Sequence, residues 1–239
     1  MRLSIVIPTL KEEGYIAGTI EQFATLTIPH EVIVSDGGSP DRTVEIATPL
    51  ADKVTVMRAG KPTPSRQRND GARLATGEFI AFVDSSVRIP NVDAFFAHAI
   101  ARFDAEPELV ALVGPQNIIP EIETIADQAF LGLQNLIIRI QNNVIGNGMG
   151  TGKFIMVRRR SFEEISGFRE DLVAGEDLNL VFRLSRIGKT RYDSALQIYY
   201  PGRREHGLGW PYLLWIWIIN VVWILLFGKA WNKEWRPVR

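Results

Sequence analysis

The chain predicts an α/β protein, a doubly wound sheet of short buried strands alternating with helices. Apolar runs of strand length recur as SIVI, EVIV, VTVM and FIAFV. Stretches with apolar residues at helical spacing lie among them, which argues for crossover helices. Several runs also stop abruptly in polar, acidic or glycine-rich loops. In open α/β sheets the ligand crevice lies beyond the carboxyl ends of the strands.

The central stretch is residues 77–90, GEFIAFVDSSVRIP. Residues 79–83 read as a strand buried on both faces of a parallel sheet, and Asp84-Ser85-Ser86 end it where a ligand would sit. Alone, Asp84 is as well explained by a capped turn. The other strand ends strengthen the ligand reading. Residues 3–7 form the first strand, stopped by Pro8-Thr9, and Ile16, Ile20, Phe23 and Leu26 then recur at helical spacing. The second strand, 31–34, runs into SDGGSPDRT, where Asp36 and Asp41 flank two glycines that let backbone approach a ligand. Asp41 equally suits the cap of a helix starting near Arg42.

Residues 54–57 are a third strand, followed by the basic stretch 58–71 with Lys61, Arg66 and Arg68. Read as a loop, it suits phosphate oxygens, which arginine grips bidentately; a solvated charged loop is the plain alternative. Strands are also expected at 110–115 and 153–157. Residues 125–145 carry Phe130, Leu133, Leu136, Ile137, Ile140 and Val144 at helical spacing, either as a core helix or as an amphipathic helix against a bilayer. The loop GNGMGTG at 146–152 lacks the dinucleotide-binding spacing. Glu176-Asp177 open another helix, where favourable contact with the macrodipole would alone account for them.

Composition bounds the function. Lys plus Arg and Asp plus Glu both number 27, so no global field points to nucleic acid. The absence of cysteine excludes a disulfide framework and any thiolate metal site. The N-terminal run reaches Pro8 with no secretory-leader pattern, so the main domain is expected in the cytosol. Residues 208–227, LGWPYLLWIWIINVVWILLF, carry no charge and only Asn220 as a strongly polar group, the length that crosses a bilayer. Trp210, Tyr212, Trp231 and Trp235 suit interfacial belts, and Arg203, Arg204, Lys229, Lys233, Arg236 and Arg239 flank the segment. The expected organisation is a domain at 1–205 and a membrane-associated helix with a basic tail at 206–239, the domain on the cytoplasmic side of the membrane. A spanning helix would send the basic tail outside, against the positive-inside tendency; a re-entrant helix would not.

Five segments in order resemble the family 2 inverting glycosyltransferases of GT-A fold: SIVIPTLKEE at 4–13, VSDGGSPDRT at 34–43, RNDG with ATGE at 68–78, FEEISGF at 162–168, and GED with Arg183 and Gly188 from 175 onward. The resemblance covers roughly residues 1–200. It implies a mixed sheet flanked by helices and a nucleotide-sugar donor held by Pro8, Thr9, Glu12, Asp36, Gly38, Arg66, Arg68, Asp84 and Ser86. It further implies that Asp84 binds diphosphate through a divalent cation, Mg²⁺ or Mn²⁺. Asp177 would be the general base and Glu176 its partner. The chain departs from the family's DxD element at Ser86, a poor ligand for a hard cation. Three outcomes fit: Asp84 and the diphosphate hold the metal, Arg88 neutralises the leaving group instead, or activity is lost. The expected function is transfer to a lipid-linked or other membrane acceptor; the alternative is an inactive membrane-bound scaffold or partner subunit. A polymer-extruding synthase is disfavoured, because Arg203–Trp210 lacks the Q-x-x-RW element. A sugar nucleotidyltransferase is disfavoured by the lack of a glycine- and lysine-rich N-terminal phosphate loop.

Overall fold

A computed structural model describes residues 1–58, 60–172, 174–227 and 231. Its first half winds β1 (Leu3–Thr9), α1 (Ile16–Glu21), β2 (His30–Asp36), α2 (Thr43–Ala47), β3 (Lys53–Val56), α3 (Pro64–Arg73) and β4 (Phe79–Val83). The middle adds α4 (Val92–Ala105), β5 (Leu109–Val113), β6 (Gln116–Ile118), α5 (Ile125–Ile140), β7 (Phe154–Arg158) and α6 (Arg159–Glu164). The last part contributes α7 (Glu176–Leu184), β8 (Lys189–Tyr192), β9 (Ile198–Tyr200), α8 (Arg203–Leu208) and α9 (Trp210–Phe227).

The main sheet has seven strands in the order β3-β2-β1-β4-β7-β5-β8, and β6 pairs with β9 beside it. β1 is parallel to both β2 and β4, so Thr9, Asp36 and Asp84 all leave the sheet at one end. The chain order reverses between β1 and β4, which makes that end a topological switch point. β7 makes the sheet mixed, as the resemblance implies: β4 is parallel to β1 on one side, and β7 runs antiparallel to β4 and to β5. Its first residue, Phe154, lies opposite the last of β4, Val83. Chain thus enters β7 beside the point where β4 delivers Asp84.

Every residue of β1, β4 and β5 is buried, as their unbroken apolar runs demand. On one face Phe79 stacks on Phe103 at 4.7 Å, and Phe95 packs edge-on against Phe154 at 4.9 Å. On the other Phe82 meets Phe168 edge-on at 5.0 Å. α4 carries the stripe Phe96, Ala99, Ile100 and Phe103 and is a long helix absent from the sequence expectations. The short strands β6, β8 and β9 were also absent from them.

The stretch 58–71 is only partly a loop, because α3 begins at Pro64. Thr63 caps it, its hydroxyl accepting from the Arg66 N–H at 3.3 Å, and Pro64 suits the first turn. No apolar stripe betrays this helix, since its buried face is Ser65, Gln67, Arg68, Asn69 and Gly71. Residues 125–145 divide into α5 and a π-helical turn, Gln141–Ile145, ended by Gly146 at φ 78°. Only Asp127, Leu131 and Ile138 of α5 are buried. Leu133, Leu136, Ile137 and Ile140 are 40–56% exposed, so α5 is a surface helix with an apolar outer stripe rather than a core helix.

The apolar tail is attached to the domain through its first turn. Leu208 ends α8, Gly209 turns the chain at φ 78°, and α9 starts at Trp210. Trp210, expected at a membrane interface, is instead 5% exposed and stacked on Phe130 at 5.1 Å. Its indole N–H donates to Asp127 Oδ1 at 2.7 Å. Burial opposes ionisation of Asp127, but His206, Thr124 and Trp210 bond its oxygens and hold its pKa down at about 2. Among the described residues no helix is long and apolar enough to cross a membrane. Lys229, Lys233, Trp235, Arg236 and Arg239 lie outside the described residues.

Asp127→Ala therefore leaves the buried indole N–H and the Thr124 hydroxyl without their acceptor. We expect a loss of about 3 kcal/mol in urea denaturation, with a red-shifted tryptophan emission as Trp210 is wetted.

Candidate active site

Three strand ends and two helices build the site. At the end of β2, Asp36 is fully buried and organises its own loop. Its Oδ1 accepts from the Gly38 and Ser39 N–H groups at 2.8 and 2.7 Å, and its Oδ2 from the hydroxyls of Thr9 and Ser39 at 3.0 and 2.5 Å. A base or ribose donor would have to displace one of these. Gly38 takes φ 87°, which a side chain resists, and an added Cβ would stand 3.3 Å from the Met57 carbonyl. Pro8 and Thr9 are buried beside this loop, where Gly37 N–H donates to the Thr9 carbonyl at 2.8 Å. Asp41 accepts from both the N–H and the hydroxyl of Thr43, but it is not the cap expected of it: the N-cap of α2 is Arg42, and no side chain caps that end. Glu12 receives the Arg203 guanidinium at 2.9 Å and so ties the β1 exit to α8.

Arg68 is the centre of the constellation. It projects from α3 with 3% exposure. Nη1 donates to Glu176 Oε1 at 2.8 Å, and Nη2 donates to Asp84 Oδ1 at 3.2 Å and to the Gly152 carbonyl at 3.0 Å. Burial disfavours its charge, yet Asp84, Glu176 and Asp177 together raise its pKa. Arg66, assigned to the same diphosphate site, lies apart: it donates to the Lys61 carbonyl at 3.2 Å and faces Glu170 at 3.8 Å. One helix turn divides 3.6 residues, so positions two apart point to different sides.

Asp84 is half-buried, and its second oxygen accepts from Lys153 Nζ at 3.2 Å. Ser86 is buried at 7% exposure. Glu176 and Asp177 occupy the first turn of α7, which follows Gly175 at φ 73°. Burial, then the neighbouring Asp177 charge, push Glu176 up to about 7, with Arg68 opposing. Asp177 is raised as well, mainly by burial, and its Oδ1 accepts the Leu178 N–H at 2.8 Å. A carboxylate raised in this way is a better proton acceptor than a solvated one.

The flanking motif residues turn out to be braces. Asn69 holds Phe168 through both its backbone N–H and its carbonyl, each at 2.9 Å. Arg183 donates to the carbonyls of Ile165 and Gly167 at 2.7 and 2.5 Å. Both fix the turn that carries the chain toward α7.

With this geometry in place, comparison with known proteins is decisive. The family model "Glycosyl transferase family 2" matches residues 4–166, well over half the chain. The chain belongs to glycosyl transferase family 2. It is similar to succinoglycan biosynthesis protein ExoA of Rhizobium meliloti strain 1021, 27% identical over 227 residues, 87% of this chain and 66% of ExoA. A second relative, poly(ribitol-phosphate) β-N-acetylglucosaminyltransferase TarS of Staphylococcus aureus, is 33% identical over 36% of this chain and 16% of its own. The chain therefore spans less than two thirds of the length of these relatives. In solved structures, S. aureus TarS 1–349 in complex with UDP-GlcNAc superposes with a TM-score of 0.66 at 21% identity, over 83% of this chain and 58% of that one. The mannosyltransferase PcManGT of Pyrobaculum calidifontis, in complex with GDP-Man and Mn²⁺, does so with 0.68 at 18% identity, over 96% and 65%. These likenesses establish the GT-A fold.

The family's metal-binding element fits this chain poorly. Among the described residues no three His, Cys, Asp or Glu side chains gather as a metal group. Asp84 stands alone between two cations, and Ser86 offers no charged oxygen in place of the second carboxylate. Arg88, a sequence candidate for neutralising the leaving group, is exposed, with its backbone bridged to Tyr199. Lys153 was read only as a strand residue and Arg204 only as a flank of the apolar tail, yet Lys153 reaches Asp84 and the charge of Arg204 feels Asp84 and Glu176. No motif marks either one.

Glu176 keeps its proton to about 7 in the folded protein, against 4.5 for an ordinary glutamate. The folded state therefore binds more protons than the unfolded state across that window, and this group makes stability fall as pH rises through it. Glu176→Gln is expected to flatten that part of a Tm-against-pH profile.

Proposed function

We propose that the protein is a glycosyltransferase that moves a sugar from a nucleoside-diphosphate sugar to a membrane-presented acceptor with inversion. The observation that carries this is the Glu176-Asp177 pair held by Arg68 against Asp84, at the switch-point end of the sheet. Asp177 takes the proton of the acceptor hydroxyl, and the acceptor oxygen attacks the anomeric carbon. The bond from that carbon to the diphosphate oxygen breaks with its electron pair on the leaving nucleoside diphosphate. A single displacement inverts the centre. Glu176, its pKa pushed up to about 7, carries less than a full charge beside Asp177 at neutral pH, Arg68 holds Glu176 in place, and the Leu178 N–H holds Asp177. The nucleoside lies toward Pro8, Thr9, Glu12, Asp36 and Gly38.

Of the similar proteins, ExoA is named for succinoglycan biosynthesis and TarS as a poly(ribitol-phosphate) β-N-acetylglucosaminyltransferase. A lipid-linked acceptor is supported by the apolar outer stripe of α5, where Leu133, Leu136, Ile137 and Ile140 share one face with Val144 beyond them. Such a face lies in the plane of a bilayer surface with its apolar side inserted. Tyr212 and Trp215 on α9 are exposed too, at 52% and 63%. The glycine loop that follows ends at Gly152 on Arg68, so the stripe adjoins the site along the chain. The domain would then work on the cytoplasmic side, where nucleotide sugars are made. Ser86 favours a second reading, an inactive membrane-bound scaffold or partner subunit.

Turnover decides between them. With membrane lipid extract as acceptor and a panel of nucleotide sugars, Asp177→Asn is expected to lower kcat by about a thousandfold while nucleotide binding survives. Nucleotide binding without any sugar transfer or hydrolysis by the unaltered protein would favour the scaffold. Membrane contact has its own measurement: Leu136→Asp with Ile140→Asp is expected to weaken co-sedimentation with lipid vesicles by about tenfold or more.

A further inference from the structure

We propose that Lys153, together with Arg68, holds the donor diphosphate in the place where a divalent cation would stand, so that this chain binds its nucleotide without metal. The inference rests on the glycosyltransferase reading and deepens it at the same site. Its basis is the register of the sheet. β7 enters antiparallel beside the exit of β4, and the Asp84 N–H donates to the Lys153 carbonyl at 3.2 Å. That pairing obliges the residue just before β7 to sit next to Asp84. Here it is a lysine.

The ammonium is held on two sides. Asp84 Oδ2 accepts from it at 3.2 Å, and the ring of Tyr200 lies beneath it at 4.6 Å. Tyr200 is itself buried, its hydroxyl donating to Glu205 at 3.1 Å, so the platform is rigid. Lysine has three donors and uses one on Asp84, which leaves donors for phosphate oxygens. Arg68 presents its guanidinium to the other oxygen of Asp84 at 3.2 Å. Each carboxylate oxygen thus already has a cationic partner. A dication on Asp84 would have to stand close to two positive charges, with Ser86 supplying no compensating carboxylate. Phosphate oxygens are attracted by both cations, and that attraction has to outweigh repulsion from the Asp84 carboxylate the cations already hold. When the sugar leaves, negative charge grows on the β-phosphate oxygens, and fixed cations stabilise it without a bound ion.

The test is titration of the full chain with UDP and GDP, and with UMP and GMP, in EDTA and in Mn²⁺, by calorimetry. The proposal expects the preferred diphosphate to bind equally in EDTA and Mn²⁺, within about twofold. It expects Lys153→Gln to weaken the diphosphate by about tenfold or more and the monophosphate little, with Lys153→Arg restoring most of the difference. Unchanged circular dichroism and Tm in Lys153→Gln would show that the variant folds. Diphosphate binding that requires Mn²⁺ overturns the proposal, as does diphosphate affinity indifferent to Lys153→Gln; both leave the glycosyltransferase reading standing. If none of the four nucleotides binds under either condition, that reading falls and this inference with it.

Discussion

A buried guanidinium cannot be left without acceptors, and this need shapes the centre of the molecule. Arg68 is almost wholly excluded from water, so it must carry its counter-charges in with it. It finds them on β4's exit, on α7 and on the carbonyl of Gly152. The converse holds for the carboxylates. Asp84, Glu176 and Asp177 would repel one another without the cation between them. Breaking one partner strands the others. Neighbouring side chains extend the arrangement: Asn69, next along α3, clamps the backbone of Phe168, whose ring lies 5.4 Å from the Arg68 guanidinium.

A second polar knot sits at the far end of the chain. Asp127 caps α5 through Thr124 and also receives His206 at 2.9 Å and the Trp210 indole. Through one buried carboxylate the start of α5 is joined to α8 and α9. The same helix is polar where it is tied and apolar along its free face, an inversion of the usual surface rule. The exposed apolar residues of that face are the ones on which the proposed membrane contact rests.

Much of the fold was legible because burial on both faces leaves a run of apolar residues that needs no context. The first, second and fourth strands were marked in this way, and the acidic residues at their ends marked the crevice. The motifs from Ser4 to Glu78 were legible as a family pattern, and the match to residues 4–166 covers them, while Glu176-Asp177 lie beyond it. α3 was illegible for the opposite reason. Its inner face is polar because it faces the site, so the apolar period that announces a helix is missing.

By itself the sequence determined where the candidate residues stand: strand periodicity placed Asp36 and Asp84 at strand ends, and Glu176-Asp177 at a helix start. Only the tertiary structure decided which of them meet. It set Arg68 rather than Arg66 against Asp84, enclosed Asp36 in its own loop, and turned Trp210 inward. It also brought Lys153 to Asp84 from 69 residues away. The physical reason is the direction of pairing. Hydrophobic spacing reports how one strand is buried, but not whether its neighbour runs parallel or antiparallel, and that direction decides which residue arrives beside Asp84.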